Sequence, residues 1–242
     1  MSLERLDKLL AQQGVLSRSE IKKAILRGRV TVNGIVEKSY NRKINTDNDL
    51  VTLDGNDVFF EKNIYLMMNK PAGVVCATED KREKTVIDII PPEYKRKGLF
   101  PVGRLDKDTE GLLIITNDGD FAHRVTSPSK KVYKTYNAVI DLPIDEDDIK
   151  AFEEGIIFKD GTKCQKAYLR DISTSENYTV EVKICEGMFH QVKKMLLVRG
   201  KRVLYLKRVS VGKLFLDHEL TKGEVKKLDV LDINNIFVDE MH

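Results

Sequence analysis

The sequence changes character once, across the polar stretch 54–63, and that break constrains the fold more than any other feature of the 242 residues. Ahead of it, Leu3, Leu6 and Leu10 recur at helical spacing and Gly14 closes that helix. Ser17 and Glu20 stand three apart as a capping box for a second helix carrying Ile21, Ala24 and Ile25, which Gly28 stops. Residues 29–34, Arg-Val-Thr-Val-Asn-Gly, alternate polar and β-branched side chains into an Asn-Gly turn, the pattern of a strand entering a hairpin. Residues 49–55 add a short strand and turn. This front part is a helix-helix-strand-turn-strand module with room for one modest core. The expected division is 1–60 and 61–242.

Beyond the break the strand patterns dominate. The apolar run 64–68 is halted by Asn69-Lys70-Pro71-Ala72-Gly73 and resumes at 74–76, suggesting two strands joined through a turn. Further strands are expected at 111–116, 132–140, 164–170 and 178–185. In the last, Tyr178, Val180, Val182 and Ile184 alternate with Thr179, Glu181 and Lys183, as in a sheet with one buried face. Helices are expected near 85–90, 119–125, 145–154 and 190–198. The second domain therefore reads as α+β with a mixed, largely antiparallel sheet flanked by helices.

Composition excludes several classes. No apolar run approaches the roughly 18 residues that span a bilayer, and the N-terminus lacks the basic-then-apolar order of a signal peptide. A cytoplasmic protein with no membrane partner is expected. Cys76, Cys164 and Cys185 lie far apart and read as reduced thiols, and the four histidines are equally scattered, so no metal site is expected. There is no phosphate-cradling glycine loop and no Gly-x-Ser-x-Gly elbow. Charge is unevenly spread. Residues 1–43 hold ten Lys or Arg against four Asp or Glu, and residues 193–208 hold seven basic and no acidic residues. Either cluster alone is ordinarily a solvated face; together they favour a polyanionic partner.

The densest chemical signal is residues 102–119, where a polar loop with an arginine and several carboxylates, Gly103-Arg104-Leu105-Asp106-Lys107-Asp108-Thr109-Glu110, runs straight into the apolar strand Gly111-Leu112-Leu113-Ile114-Ile115. A carboxylate at the edge of a core has restricted solvation, a setting that tunes it for reaction. Acidic loops before strands are common, however, and the residues alone leave turn-forming aspartates as the ordinary reading.

Gly-Arg-Leu-Asp-x-Asp-Thr-x-Gly-Leu-Leu followed by Thr-Asn-Asp-Gly resembles the signature of pseudouridine synthases of the small-subunit ribosomal RNA type and their large-subunit relatives. Asn69-Lys70-Pro71-x-Gly73, Lys134-Thr135-Tyr136 and the segment 186–195 agree in order and spacing. The front module, from Leu6 to about Gly55, resembles the RNA-binding domain shared with ribosomal protein S-four. The resemblance implies a pseudouridine synthase fold, isomerisation of a ribosomal uridine, and no cofactor. It implies Asp106 as the catalytic carboxylate and Tyr136 as a ring packed on the uracil, with a hydroxyl that could assist proton removal. It implies Lys193 as the cation paired with Asp106, and structural roles for Asp108 and Asp118.

RNA contacts are expected from Arg104, from Arg18, Lys22, Lys23, Arg27 and Arg29 in the front module, and from His190, Gln191 and Lys194. The cluster 193–208 is expected to line the approach to the site. Met188 departs from the family, whose members commonly carry Arg or Lys there; Lys193 or Lys194 could supply the missing contact. The segment Phe189-His190-Gln191-Val192-Lys193 and the short ending 235–242 look closer to the small-subunit enzymes, so the expected partner is ribosomal RNA or a small-subunit assembly intermediate, bound by a monomer. A large-subunit uridine is the alternative. An inert ribosome-associated RNA-binding protein is the alternative of another class, and the intact set Asp106, Tyr136 and Lys193 argues against it.

Overall fold

The structure is a computed structural model that describes residues 3–14, 16–46, 48–58, 60, 63–174 and 176–238. Parts of the sequence break, at 59, 61 and 62, and the last four residues of the chain ending lie outside the described residues. The chain divides into two compact units, the first 64 residues together with Pro91–Leu99, and Tyr65–Ile90 together with Phe100 onward.

The first unit is built from β1 (Leu3–Arg5), α1 (Leu6–Gln12), α2 (Arg18–Leu26), β2 (Val30–Val32), β3 (Ile35–Val36), β4 (Lys43–Asn45), β5 (Val51–Leu53) and β6 (Asn56–Val58). At the start of α2 the Ser17 hydroxyl accepts from the Glu20 amide while the Glu20 carboxylate accepts from the Ser17 amide, the reciprocal box anticipated from the sequence. Gly28, with φ +74°, closes the helix. Its amide donates to the Ile25 carbonyl and the Arg29 amide to the Ala24 carbonyl, which satisfies the last turn. Ile21, Ala24 and Ile25 pack against Leu6, Leu9 and Leu10 of α1 and against Val30, Val51 and Leu53 of the sheet β3-β2-β5-β6. Leu3 departs from the helical reading: it lies on β1, which pairs with β4.

The second unit carries β7 (Tyr65–Lys70), β8 (Phe100–Pro101), β9 (Glu110–Thr116), α3 (Gly119–Thr126), β10 (Lys134–Ile140), α4 (Glu146–Glu154), β11 (Tyr168–Asp171), β12 (Tyr178–Ile184), α5 (Gln191–Val198), β13 (Val203–Val211), β14 (Leu214–Phe215), β15 (Val225–Lys227) and α6 (Val230–Asn235). A mixed sheet runs in the order β11-β12-β10-β13-β9-β7-β15, with β14 on β13 and β8 on β9. Its described neighbours are antiparallel except β13 and β9, which run parallel through Lys207↔Glu110 and Arg208↔Gly111. Two antiparallel halves thus meet along one parallel seam, and the loop before β9 opens beside it. Gly111 makes the seam possible, since a Cβ there would collide with the Arg208 carbonyl oxygen. On one face, Phe121 and Val125 of α3 pack with Met67, Leu112, Ile114 and Val211. Phe121 meets Tyr65 and Phe237 edge-on.

Four expectations change. Residues 85–90 form turns rather than a helix: Thr85 and Asp88 bond each other through backbone and side chain, and Pro91 restricts Ile90. Residues 74–76 give no strand, only a bridge from Val75 to Thr85. The strand expected at 164–170 begins at Tyr168. The segment read as a basic cluster runs into the nine-residue strand β13, with Leu206, Arg208 and Ser210 buried and Lys207 and Val209 half-buried between them.

Candidate active site

The loop preceding β9 is held from beneath by a lysine. Lys70, at the end of β7, is fully buried, and its ammonium donates to the carbonyls of Pro71, Asp106, Lys107 and Thr109 at 2.9–3.2 Å. Burial pulls its pKa below the usual lysine range, against the pull of nearby Cys76 and the loop's carboxylates. The amide of buried Leu105 donates to the Cys76 sulfur, and the Thr109 amide to the Asp106 carbonyl. With its backbone tied at both ends, the loop presents the Asp106 carboxylate outward.

The two carboxylate oxygens of Asp106 face different side chains. Oδ2 is 3.0 Å from the Lys193 ammonium of α5, and Oδ1 is 3.5 Å from Nε2 of His190. Lys193 also reaches Asp108 at 2.6 Å. Burial alone would lower the pKa of Lys193, but hydrogen bonds to Asp108 and Asp106 outweigh it and hold the ammonium above its ordinary value. Reciprocally, the hydrogen bond from Lys193 holds Asp108 below the usual carboxylate range. Asp106 and Lys193 keep 23% and 24% of their side-chain surface. The pair is accessible yet partly desolvated, a setting in which Coulombic attraction counts for more than in water.

Asp106 lines a cleft of about 660 Å³ together with Arg104, Lys134, Tyr136, Met188 and His190. A smaller hollow of about 60 Å³ shares Asp106, Tyr136 and His190 with it and includes Lys193. Tyr136 is buried on β10, opposite Val182 of β12 and Arg208 of β13. The arrangement can hold a flat polar ring against Tyr136 within reach of one carboxylate.

Comparison with known proteins gives the family. The model of the RNA pseudouridylate synthase family matches residues 64–197, a stretch that contains Asp106, Tyr136 and Lys193. The chain belongs to this family. Residues 4–51 match the S4 domain, an RNA-binding module. The chain is 45% identical to the uncharacterized RNA pseudouridine synthase YtzG of Bacillus subtilis (strain 168), over 93% of this chain and 94% of that protein. It is 37% identical to the ribosomal small subunit pseudouridine synthase A of Yersinia pestis, over 96% of this chain and 97% of the relative. The protein of that name in Escherichia coli (strain K12) is 35% identical, over 96% and 99%. A pseudouridylate synthase crystal structure superposes with a TM-score of 0.65 at 33% identity, covering 96% of this chain and 99% of the other. The protein is an RNA pseudouridine synthase, an isomerase of the small-subunit type.

In this synthase the other expected site residues divide. Arg104 is exposed at the cleft, and Asp108 is bonded to Lys193 rather than to it. His190 adopts a left-handed backbone at φ 54° and stacks on Phe189, with the Lys194 ammonium 5.1 Å from the Phe189 ring centre. Gln191 is a correction. It is only 4% exposed, donates to Glu186 at 2.6 Å and accepts from the Met188 amide at 2.9 Å, so its amide braces the turn before α5 and is not offered to RNA. The cluster 193–208 is a second correction. Arg199 and Lys201 are locked on buried Asp148, and Arg202 on Asp141, which leaves Lys193 and Arg208 on the cleft walls. Lys193 is engaged by two carboxylates and does not substitute for a cation at Met188. Asp108 joins the ion-pair cluster instead of serving the loop alone. Asp118 caps α3 through the Phe121 amide and accepts from the Tyr65 hydroxyl.

In the first unit Arg18 pairs with Asp7 and Arg29 with Asp54, while Lys22 stands over the Tyr40 ring. Lys23 and Arg27 are exposed and make no ion pair with the described residues. Sequence reasoning gave Lys70 and Lys134 no role, although both lie in motif segments. Lys134 is 7% exposed and donates to the Val125 and Val132 carbonyls, and burial with nearby Arg208 lowers its pKa to about 8.

Proposed function

We propose that the enzyme converts one uridine of small-subunit ribosomal RNA to pseudouridine, with Asp106 as the attacking carboxylate. The observation that carries this reading is the position of Asp106 in the cleft beside Tyr136, with one oxygen on Lys193 and the other near His190. Lys193 holds the carboxylate in place through a charge-assisted contact. Tyr136 offers its ring to the uracil. During the reaction the N1–C1′ bond breaks, a C5–C1′ bond forms, the C5 proton is lost and N1 gains one. Atoms and electrons balance without an oxidant or reductant, so a carboxylate and a base suffice and no cofactor is required.

A uridine must leave its stack to reach Asp106, which costs a few kcal/mol and least for an unpaired base. Phosphate contacts by Lys22, Lys23 and Arg27 of the S4 domain, and by Arg104 and Lys194 near the cleft, offset that cost. The small-subunit target is supported by full-length relatives named for that activity. Such a substrate puts the enzyme in the cytoplasm. The test is tritium release from small-subunit RNA labelled at C5 of uracil. Wild-type enzyme releases tritium, and Asp106→Asn binds the RNA without release. Undiminished release by that variant would remove Asp106 from the role.

A further inference from the structure

Among the described residues, four basic side chains of the second unit are buried, and three have acceptors that account for their burial. Lys70 has four carbonyls, Lys134 has two, and Lys201 has the Asp148 carboxylate and the Arg199 carbonyl. Arg208 is the fourth. It is 4% exposed, yet of its five N–H donors only Nε–H is used, donating to the Leu112 carbonyl at 2.7 Å. No carboxylate among the described residues pairs with it. A guanidinium buried this deeply without a partner is costly unless something completes it. None of its nitrogens is both sealed from space and unpaired, so the remaining donors reach the open cleft whose wall Arg208 forms.

The fold aims this side chain deliberately. A register shift between Thr135 and Tyr136 pairs those residues with Ser210 and Arg208, leaving Val209 as the extra residue of a bulge. Bulges re-aim side chains next to sites. Here Arg208 comes directly opposite Tyr136, its guanidinium carbon 6.0 Å from the ring centre. On its other side the parallel seam holds it against Gly111, where the Asp106 loop enters β9.

We propose that Arg208 donates hydrogen bonds to the O4 carbonyl oxygen of the target uracil and stabilises the negative charge that it gathers in the reaction. The inference rests on the reading of the cleft as a uridine site. Either route to the product loads O4. If N1–C1′ breaks while an Asp106 oxygen bonds to C1′, the electron pair leaves on N1 and spreads over O2 and O4. If Asp106 adds to C6, the C5–C6 π pair moves toward O4. A fixed, partly desolvated donor set is most effective where charge develops during the reaction. A backbone phosphate would be met at the mouth, where Arg104 is exposed, whereas a group beside Tyr136 meets the part that enters deepest, the base. The same donors favour the O4 of uracil over the amino group of cytosine.

The test compares wild type with Arg208→Met and Arg208→Lys on unmodified small-subunit RNA labelled at C5, measuring single-turnover tritium release, RNA affinity and thermal midpoint. The expected result for Arg208→Met is a rate roughly 10²- to 10³-fold lower at saturating RNA, with affinity within about threefold of wild type and no fall in midpoint, because an uncompensated buried charge has been removed. Arg208→Lys should recover part of the rate. A retained rate with weakened, less salt-dependent RNA binding would assign Arg208 to a phosphate and overturn the proposal. So would a lowered midpoint with wild-type release per folded molecule. Wild-type enzyme inactive on both ribosomal RNAs would instead overturn the reading beneath it.

Discussion

At Asp106 one oxygen meets a lysine and the other a histidine, while the backbone beneath hangs from a lysine of a different strand. The family resemblance implied the pairing of Asp106 with Lys193, and the two side chains meet at 3.0 Å. Gln191 and Arg208 were not legible that way. Both stand in a basic, polar stretch that reads as solvent-facing, and their burial depends on Glu186 and on a β-bulge, which are tertiary features. Lys134 gives a residue-scale prediction. Its folded pKa of about 8 lies below the ordinary lysine value of 10.5, so between these values the unfolded chain binds more protons. Stability attributable to Lys134 therefore rises with pH through that window, and is lost as the pH falls back through it. Denaturant midpoints of wild type and Lys134→Met at about pH 7 and about pH 10 should diverge in favour of wild type at the higher pH. A constant difference would show that the ammonium is not penalised in the fold.

Elements were legible where one local pattern decided them. The Ser17-to-Glu20 box, the Asn33-Gly34 turn and the alternation of residues 179–184 appear where expected, because capping, positive φ and period-two burial are local, while Tyr178 at the strand start is exposed. Strand β13 was hidden by its charges, since Lys207 and Arg208 obscure an alternation that only the neighbours β10 and β9 reveal. The close approach at Gly111 was equally invisible, since a glycine after a turn-like acidic loop needs no special account. It yields the prediction at this scale. Gly111→Ala places a methyl group against the Arg208 carbonyl at φ +100°, which should destabilise the second unit by about 3 kcal/mol. It should also suppress activity by spreading the seam beside Asp106. Urea unfolding checks this, and an unchanged midpoint would mean that β13 can shift without cost.

For the molecule as a whole, the sequence shows two patterns of residues and the contacts show two units, with Pro91–Leu99 joining the first. No local signal marks that excursion, because it depends on what the segment packs against. The proposed division of labour assigns phosphate contacts to the S4 domain and chemistry to the cleft. Replacing Lys23 and Arg27 by alanine should weaken RNA binding and flatten its log–log salt dependence by about one per lost contact. The rate at saturating RNA should not change. Filter binding across a salt series with parallel tritium release separates the two effects; a reduced rate at saturation would place these residues in the chemistry.

The central claim is that Asp106 drives isomerisation of one small-subunit uridine. Pseudouridine mapping of both ribosomal RNAs, in cells carrying the wild-type gene, Asp106→Asn or no gene, tests it most directly. The expected result is one small-subunit pseudouridine present with the wild-type gene and absent in the other two. A site that persists with Asp106→Asn, or a loss confined to large-subunit RNA, would contradict it.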